Sequence, residues 1–168
     1  MSKVLVVCYS RSGKTRAVGA ALAERLNADL EVIAEAADRS GPIGFLRSVV
    51  DAVFSRLVPI AAPHYDAARY DLVIVGTPVW AGTMSAPARA WLTANRRHLP
   101  LVAFFCTQQK RGDVGAFRDM AALAGKQPVA RCTVAGDRKQ DDERRIVEFF
   151  ATRIERRLDR ARSLEWAA

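Results

Sequence analysis

Residues 4–15 have the sequence VLVVCYSRSGKT. The first five are apolar without interruption, which is typical of a strand that is buried on both faces of a parallel sheet. Hydroxyl side chains and one glycine follow, and residues 15–26 then carry apolar side chains at the three- and four-residue spacing of an amphipathic helix. The stretch therefore predicts a strand, a polar loop and a helix in direct succession.

The same alternation continues along the chain. Further strands are predicted at residues 30–34, 72–76, 101–106 and 129–134. Further helices are predicted at 44–57, after Ser85, from a cap at Asp113 to an end at Gly125, and at 139–162. The second and fifth strands alternate in polarity and carry charges, as edge strands do. We therefore expect an α/β fold with a five-stranded parallel sheet in the doubly wound order 2-1-3-4-5 and helices on both faces. In that order a ligand crevice lies at the carboxyl ends of strands one and three.

Composition limits the class of protein. The chain has 168 residues, half of them apolar, and a net charge of +8, so we expect one domain over residues 1–168. The apolar runs are far shorter than the about 20 residues of a membrane span, and no export signal is visible, which favours the cytoplasm. An odd cysteine count without close spacing predicts reduced thiols at Cys8, Cys106 and Cys132, and two histidines make a zinc site unexpected.

The loop after the first strand has the donors that a phosphate group requires. A nucleotide-binding P-loop has a glycine where this chain has Cys8, and no apolar strand here ends in a magnesium-binding aspartate. A low-molecular-weight phosphatase has an arginine where this chain has Lys14, and an Asp-Pro pair that is missing here. The flavodoxin phosphate loop, S/T-x-S/T-G-x-S/T, matches at every fixed position. A plain turn between strand and helix remains an alternative. The candidate residues are Ser10, Arg11, Ser12, Gly13, Lys14 and Thr15.

The segment after the third strand, Gly76–Met84, offers a flat aromatic surface. Trp80 can stack against a planar ligand, and the small residues Ala81 and Gly82 leave room beside it. Trp80 can equally be a core residue at the mouth of the sheet. The first interpretation is favoured because the phosphate loop lies at the same end of the neighbouring strand.

Residues 4–15 and 76–84 together resemble the flavodoxin family, in particular the bacterial flavodoxin-like FMN oxidoreductases. The resemblance covers almost the whole chain in element order and implies FMN as the cofactor. It places the phosphate on residues 10–15 and the isoalloxazine ring on the segment after strand three and on a loop after strand four, which departs from the acidic loop of electron-carrying flavodoxins. The implied ring-side residues are Thr77, Pro78, Val79, Trp80, Ala81, Gly82, Thr107, Gln108, Gln109 and Gly112.

The positive charge suggests which reaction the flavin serves. Carrier flavodoxins are acidic, whereas a cation such as Lys110 or Arg111 near the ring favours the reduced, anionic flavin. We therefore expect two-electron chemistry, in which NAD(P)H reduces FMN and FMN reduces a quinone or similar acceptor. Because the cofactor carries the hydride, no catalytic side chain is predicted. The alternatives are a one-electron carrier with an acidic partner and a flavin-free phosphate-loop protein, either a phosphatase or a binding module.

Two further segments bear on partners. Residues 44–57 are apolar on more than one face, which predicts a helix that is covered either by the loop after it or by a second copy of the chain. Of these two we favour a homodimer. The last helix alternates arginines with acidic residues, which predicts a solvated face with i,i+4 ion pairs. Nucleic-acid binding is not expected, because its basic clusters lack interleaved aromatic side chains.

Overall fold

The computed structural model describes residues 2–36, 50, 57–109, 111–136 and 139–165. Strands and helices alternate along these residues. In chain order they are β1 (Val4–Cys8), α1 (Lys14–Leu26), β2 (Asp29–Val32), β3 (Leu72–Trp80), β4 (Thr83–Met84), α2 (Ala86–Asn95), β5 (Leu101–Gln108), α3 (Asp113–Ala124), β6 (Arg131–Ala135) and α4 (Gln140–Glu165). Short 3-10 turns lie at Ala67–Arg69 and Arg96–His98.

The sheet confirms the predicted topology. Its parallel strands lie in the order β2-β1-β3-β5-β6, which is the order 2-1-3-4-5 once the short β4 is set aside. The two strands with charged residues, β2 and β6, occupy the edges as predicted. In the described part of the chain the sheet has a sixth strand, β4, which pairs antiparallel with the end of β3.

Two apolar cores pack on opposite faces of the sheet. Because successive side chains of a strand point to opposite faces, β1 contributes Leu5 and Val7 to one core and Val4 and Val6 to the other. The first core also contains buried side chains of α2 and α3, and the second those of α1 and α4. Large helix side chains in these cores include Trp91, Phe117 and Met120 in the first, and Leu22, Phe150 and Ile154 in the second. The helices therefore cover both faces, as expected for this fold.

Helix α4 is tied to α1 by charge. Arg25 of α1 lies 2.7 Å from Glu148 and 2.9 Å from Glu155 of α4. Along α4 itself the structure pairs Asp159 with Arg162 at 3.0 Å, three residues apart. The outer face of α4 is exposed, as predicted. Among the ion pairs of its described residues none has the predicted i,i+4 spacing, because Glu148 and Glu155 pair with Arg25 of α1.

Two sequence predictions fall largely or wholly on other parts of the chain. Of residues 44–57 the structure describes Val50 and Leu57, so the predicted helix and dimer surface lie outside the described residues and stay predictions. Lys110, predicted as a cation near the ring, also lies outside them. Among the helices that the structure describes, none combines the length and apolar character that crossing a bilayer requires.

Candidate functional site

Three polar segments meet at the carboxyl edge of the sheet. The register sets Cys8 of β1 opposite Gly76 of β3, and Pro78 of β3 opposite Thr107 of β5. The segments that follow these strands therefore emerge side by side. This is the edge at which the sequence predicts a ligand crevice.

The first segment joins β1 to α1 and ends at an open helix terminus. Gly13 caps α1 with a φ of 91°, a left-handed conformation that glycine adopts without strain. Its N–H donates to Ser10 Oγ at 3.1 Å, and Ser12 and Gly13 are exposed. The next N–H groups have no partner within the helix, and the helix dipole favours negative charge at this end. The segment therefore has the geometry of an anion site.

Two predicted phosphate ligands have partners inside the protein. The ammonium group of Lys14 lies 2.5 Å from Glu143 in α4. Thr15 is buried, and its hydroxyl lies 2.7 Å from the hydroxyl of Thr107 at the end of β5. Thr15 therefore links the first segment to the third, and the positive charge of Lys14 is neutralised by Glu143.

The second segment is a hairpin and not a loop. Strand β3 continues to Trp80, turns through Ala81 and Gly82, and returns as β4. Both turn residues have positive φ, 48° and 78°, as in the tight turns whose twist matches paired strands. Sequence reasoning missed this hairpin, because an apolar run that ends at residue 76 looks like the end of a strand.

Trp80 stands at the tip of β3 beside a second aromatic ring. The rings of Trp80 and Tyr9 lie edge to face, with centroids 5.9 Å apart and an angle of 89° between their planes. Pro78, Val79 and Trp80 are half-buried, whereas Ala81 and Gly82 are exposed. The predicted aromatic surface is thus present and only partly covered, and it is extended by the ring of Tyr9, which sequence reasoning did not single out.

Thr77 serves the base of the hairpin. Its side chain is fully buried, and its hydroxyl lies 2.9 Å from that of Ser85 and accepts the Ser85 N–H at 3.0 Å. The structure therefore does not bring the Thr77 side chain to the surface with the other predicted ring-side residues.

The third segment follows β5 and touches the hairpin. Gln108 accepts the N–H of Asp113 at 3.0 Å, so Gln108 caps α3, and Asp113 itself accepts a hydrogen bond from Thr133 of β6. This corrects the expectation that Asp113 caps the helix. Gln109 is exposed. Gly112 has a φ of 124°, and a Cβ there would lie 2.6 Å from the Gly82 Cα, so the two segments are in direct contact.

A partly buried polar network anchors the hairpin to the helices beneath it. Thr83 donates to Asp119 of α3 at 2.9 Å and accepts from Arg89 of α2 at 3.1 Å. Arg89 is 7% exposed and lies 3.6 Å from Asp119. These residues fix the hairpin to both helices of its face. They lie far apart in sequence and form no local motif, so sequence reasoning had no signal for them.

Two of the strand cysteines have thiols of low reactivity. Cys8 and Cys106 are buried, and burial raises the pKa of each thiol to about 12. A phosphatase of the pattern considered above needs a thiolate at Cys8. The structure therefore argues against that alternative.

Comparison with known proteins supports the fold assignment. No family model and no curated protein sequence matches the chain. Among solved structures, a flavoprotein of Lactobacillus acidophilus in complex with FMN is 20% identical, with a TM-score of 0.70 over 79% of this chain and 93% of that one. A WrbA-like flavodoxin of Agrobacterium tumefaciens is 15% identical, with a TM-score of 0.65 over 95% and 99%. A Streptococcus pneumonia flavodoxin is 14% identical, with a TM-score of 0.59 over 92% and 98%.

The fold is flavodoxin-like. The resemblance that the sequence indicated is confirmed at this level, and the candidate site lies where a flavodoxin-like sheet changes winding direction, beyond β1 and β3.

Proposed function

We propose that the chain is an FMN-binding oxidoreductase that accepts hydride from NAD(P)H and reduces a quinone or similar acceptor. The observation that carries the proposal is the meeting of an open helix terminus at Gly13 with a half-exposed indole at Trp80, at one edge of the sheet. FMN has one anionic end and one flat aromatic end. The similarity to an FMN-bound flavoprotein supports the same assignment.

The first segment fits the phosphate end. No atom lies within 4 Å of the position where a Cβ of Gly13 would stand, so a ligand can approach the backbone closely. Ser12 offers an exposed hydroxyl, and the amides of the first turn of α1 donate along the helix axis. Because Lys14 is paired with Glu143, the amides and hydroxyls supply most of the attraction.

The hairpin and the third segment fit the ring. Trp80 provides an aromatic surface, and Gly82 has open space on the side where a Cβ would stand. The Gly82 backbone is packed against Gly112, which closes the contact between the two segments. Gln109 is exposed beside them and can hydrogen-bond a polar ring edge. FMN, when bound, supplies the hydride-accepting ring, so the side chains need to position that ring and set its electrostatic surroundings.

The charges beside the ring favour two-electron reduction. Arg111 is exposed next to Gly112, and the carboxylate of Asp113 is turned toward Thr133 of β6. A cation near a ring that gains negative charge stabilises the charged form. This is the reason for preferring a reductase over a one-electron carrier.

Comparison of FMN with riboflavin tests the phosphate assignment. The fluorescence of both flavins is quenched when the ring stacks against an aromatic side chain, so a titration gives a dissociation constant for each. We expect FMN to bind at least about a hundredfold more tightly than riboflavin, because two or three charge-assisted hydrogen bonds are lost with the phosphate. Ser12→Ala should weaken FMN binding and leave riboflavin binding unchanged. Ser163→Ala, a substitution of an exposed serine on α4, is the matched control. Equal affinities for the two flavins in the wild type would refute the phosphate site.

Anaerobic mixing tests the reaction. The FMN-loaded protein is mixed with NADPH or NADH, and the visible absorbance of the flavin is followed. Bleaching that is reversed by a quinone supports the reductase. An absence of bleaching with both nucleotides, together with reduction by one-electron donors, would replace the reductase by the carrier.

A further inference from the structure

A groove lies at the open edge of the sheet, away from the three segments of the candidate site. It runs between β6 and α4 and has a volume of about 320 Å³. Ile146 and Phe150 form part of its apolar lining, and Phe149 is 66% exposed at its side. A phenylalanine with this exposure leaves apolar area in water that a partner can cover.

The groove is lined by positive charge. Arg145, Phe149 and Arg153 occupy positions i, i+4 and i+8 of α4 and therefore share one stripe. The Arg153 guanidinium carbon lies 5.9 Å from the centroid of the Phe149 ring. Within the described residues no carboxylate forms an ion pair with Arg145 or Arg153, whereas Glu148 of the same helix is turned toward α1. Around the groove α4 therefore presents arginine, whereas its Glu148 and Glu155 are turned toward α1.

Strand β6 offers its backbone at the same place. In the described part of the chain β6 pairs with β5 on one side and is an edge of the sheet on the other. An edge strand presents alternate N–H and C=O groups that a further strand can bind. Arg131 of β6 points to the other face, where its guanidinium lies 6.0 Å from the Phe117 ring of α3. A strand added to β6 would therefore meet arginine on both of its faces.

From this arrangement we infer that the edge of β6 and the arginine stripe of α4 form a docking site for an extended acidic segment of a partner protein. The segment adds to β6 as a strand. Its carboxylates meet Arg131 on one face and Arg145 and Arg153 on the other, and an apolar side chain between them covers Phe149. A second copy of the chain does not fit, because its net charge is +8. A nucleic acid would match the charge but not the hydrogen-bonding pattern of a strand edge.

A designed peptide tests the inference. The probe is a fluorescein-labelled peptide of about eight residues in which consecutive glutamate pairs flank a central phenylalanine, so that both faces of the added strand carry carboxylates. Its binding is measured by fluorescence anisotropy, in the presence and absence of FMN, and the two conditions should agree because the groove does not depend on the flavin site. Arg145→Glu combined with Arg153→Glu should weaken binding about tenfold or more. Arg97→Glu combined with Arg144→Glu makes the same change in net charge at exposed positions elsewhere and should have a much smaller effect.

Two further measurements separate strand addition from attraction by charge alone. A peptide with N-methyl groups on the residues that face β6 keeps its charge but loses the donors, and it should bind at least about tenfold more weakly. Hydrogen exchange of the β6 amides should slow when the unmodified peptide is present. No binding of the peptide, equal effects of the two double variants, equal binding of the N-methylated peptide, or stronger binding of single-stranded RNA than of the peptide would each overturn the inference. Failure of FMN binding would leave it standing.

Discussion

A methyl group at residue 112 has no space in this structure. Gly112 has a φ of 124°, and a Cβ there would lie 2.6 Å from the Gly82 Cα and 2.9 Å from a methyl carbon of Val79. Gly112→Ala therefore adds a steric clash, worth about 1–3 kcal/mol in a packed region, to backbone strain of about 1–3 kcal/mol. We expect the free energy of unfolding to fall by about 2–6 kcal/mol, with the hairpin and the third segment pushed apart.

Gly82→Ala is the matched control. Its φ is 78°, but nothing lies within 4 Å of the added Cβ, so strain of about 1–2 kcal/mol is the expected cost. Both variants are compared with the wild type by denaturant unfolding followed by circular dichroism, and by FMN titration. Gly112→Ala should lose more stability and more FMN affinity than Gly82→Ala. Equal losses of stability would refute the contact between the two segments, and an unchanged FMN affinity in Gly112→Ala would refute their role in holding the ring.

Three further predictions concern the framework. Arg25→Met should destabilise the protein at neutral pH, because Arg25 lowers the pKa of Glu148 in the folded state. The loss of stability should be present above about pH 4.3 and should disappear as the pH falls through the lowered pKa of the folded state. Unfolding curves at acid and at neutral pH will show this. Cys8 and Cys106 should resist alkylation until the protein unfolds, and rapid native-state labelling seen by mass spectrometry would contradict this. Because burial raises the pKa of each thiol to about 12, their contribution to stability should be lost as the pH rises from about 8.5 toward about 12. Thr83→Val should cost about 1–3 kcal/mol of unfolding free energy, because it keeps the side-chain shape but leaves a buried arginine and a carboxylate of α3 without a shared hydroxyl.

The sheet could be predicted because its signals are local. Continuous apolar runs mark the inner strands β1, β3 and β5, and alternating polar and charged residues mark the edge strands β2 and β6. The polarity of each strand therefore predicts whether it lies inside the sheet or at its edge. The helix end at Gly125, with a φ of 66°, was predicted for the same reason.

The details of the site could not be predicted, because they depend on contacts between distant residues. The cap of α3 is supplied by Gln108 and not by Asp113, since the chain between them bends back through Gly112. The turn at Ala81 places an alanine at positive φ, which residue type alone does not favour. The pairing of Lys14 with α4 is equally invisible in the sequence, although it decides how much charge the first segment presents.

The hydroxyl contact between Thr15 and Thr107 has a consequence for the order of assembly. The two residues are 92 positions apart. Thr15 lies in the first turn of the helix that follows β1, Thr107 lies in β5, and β3 separates β1 from β5 in the sheet. Contacts of such sequence separation close late, because the chain must first lose the entropy of a long loop. A ligand that touches both segments therefore recognises the finished sheet and no partly folded chain, and its retention during refolding would mark the moment at which the last parallel strands have joined.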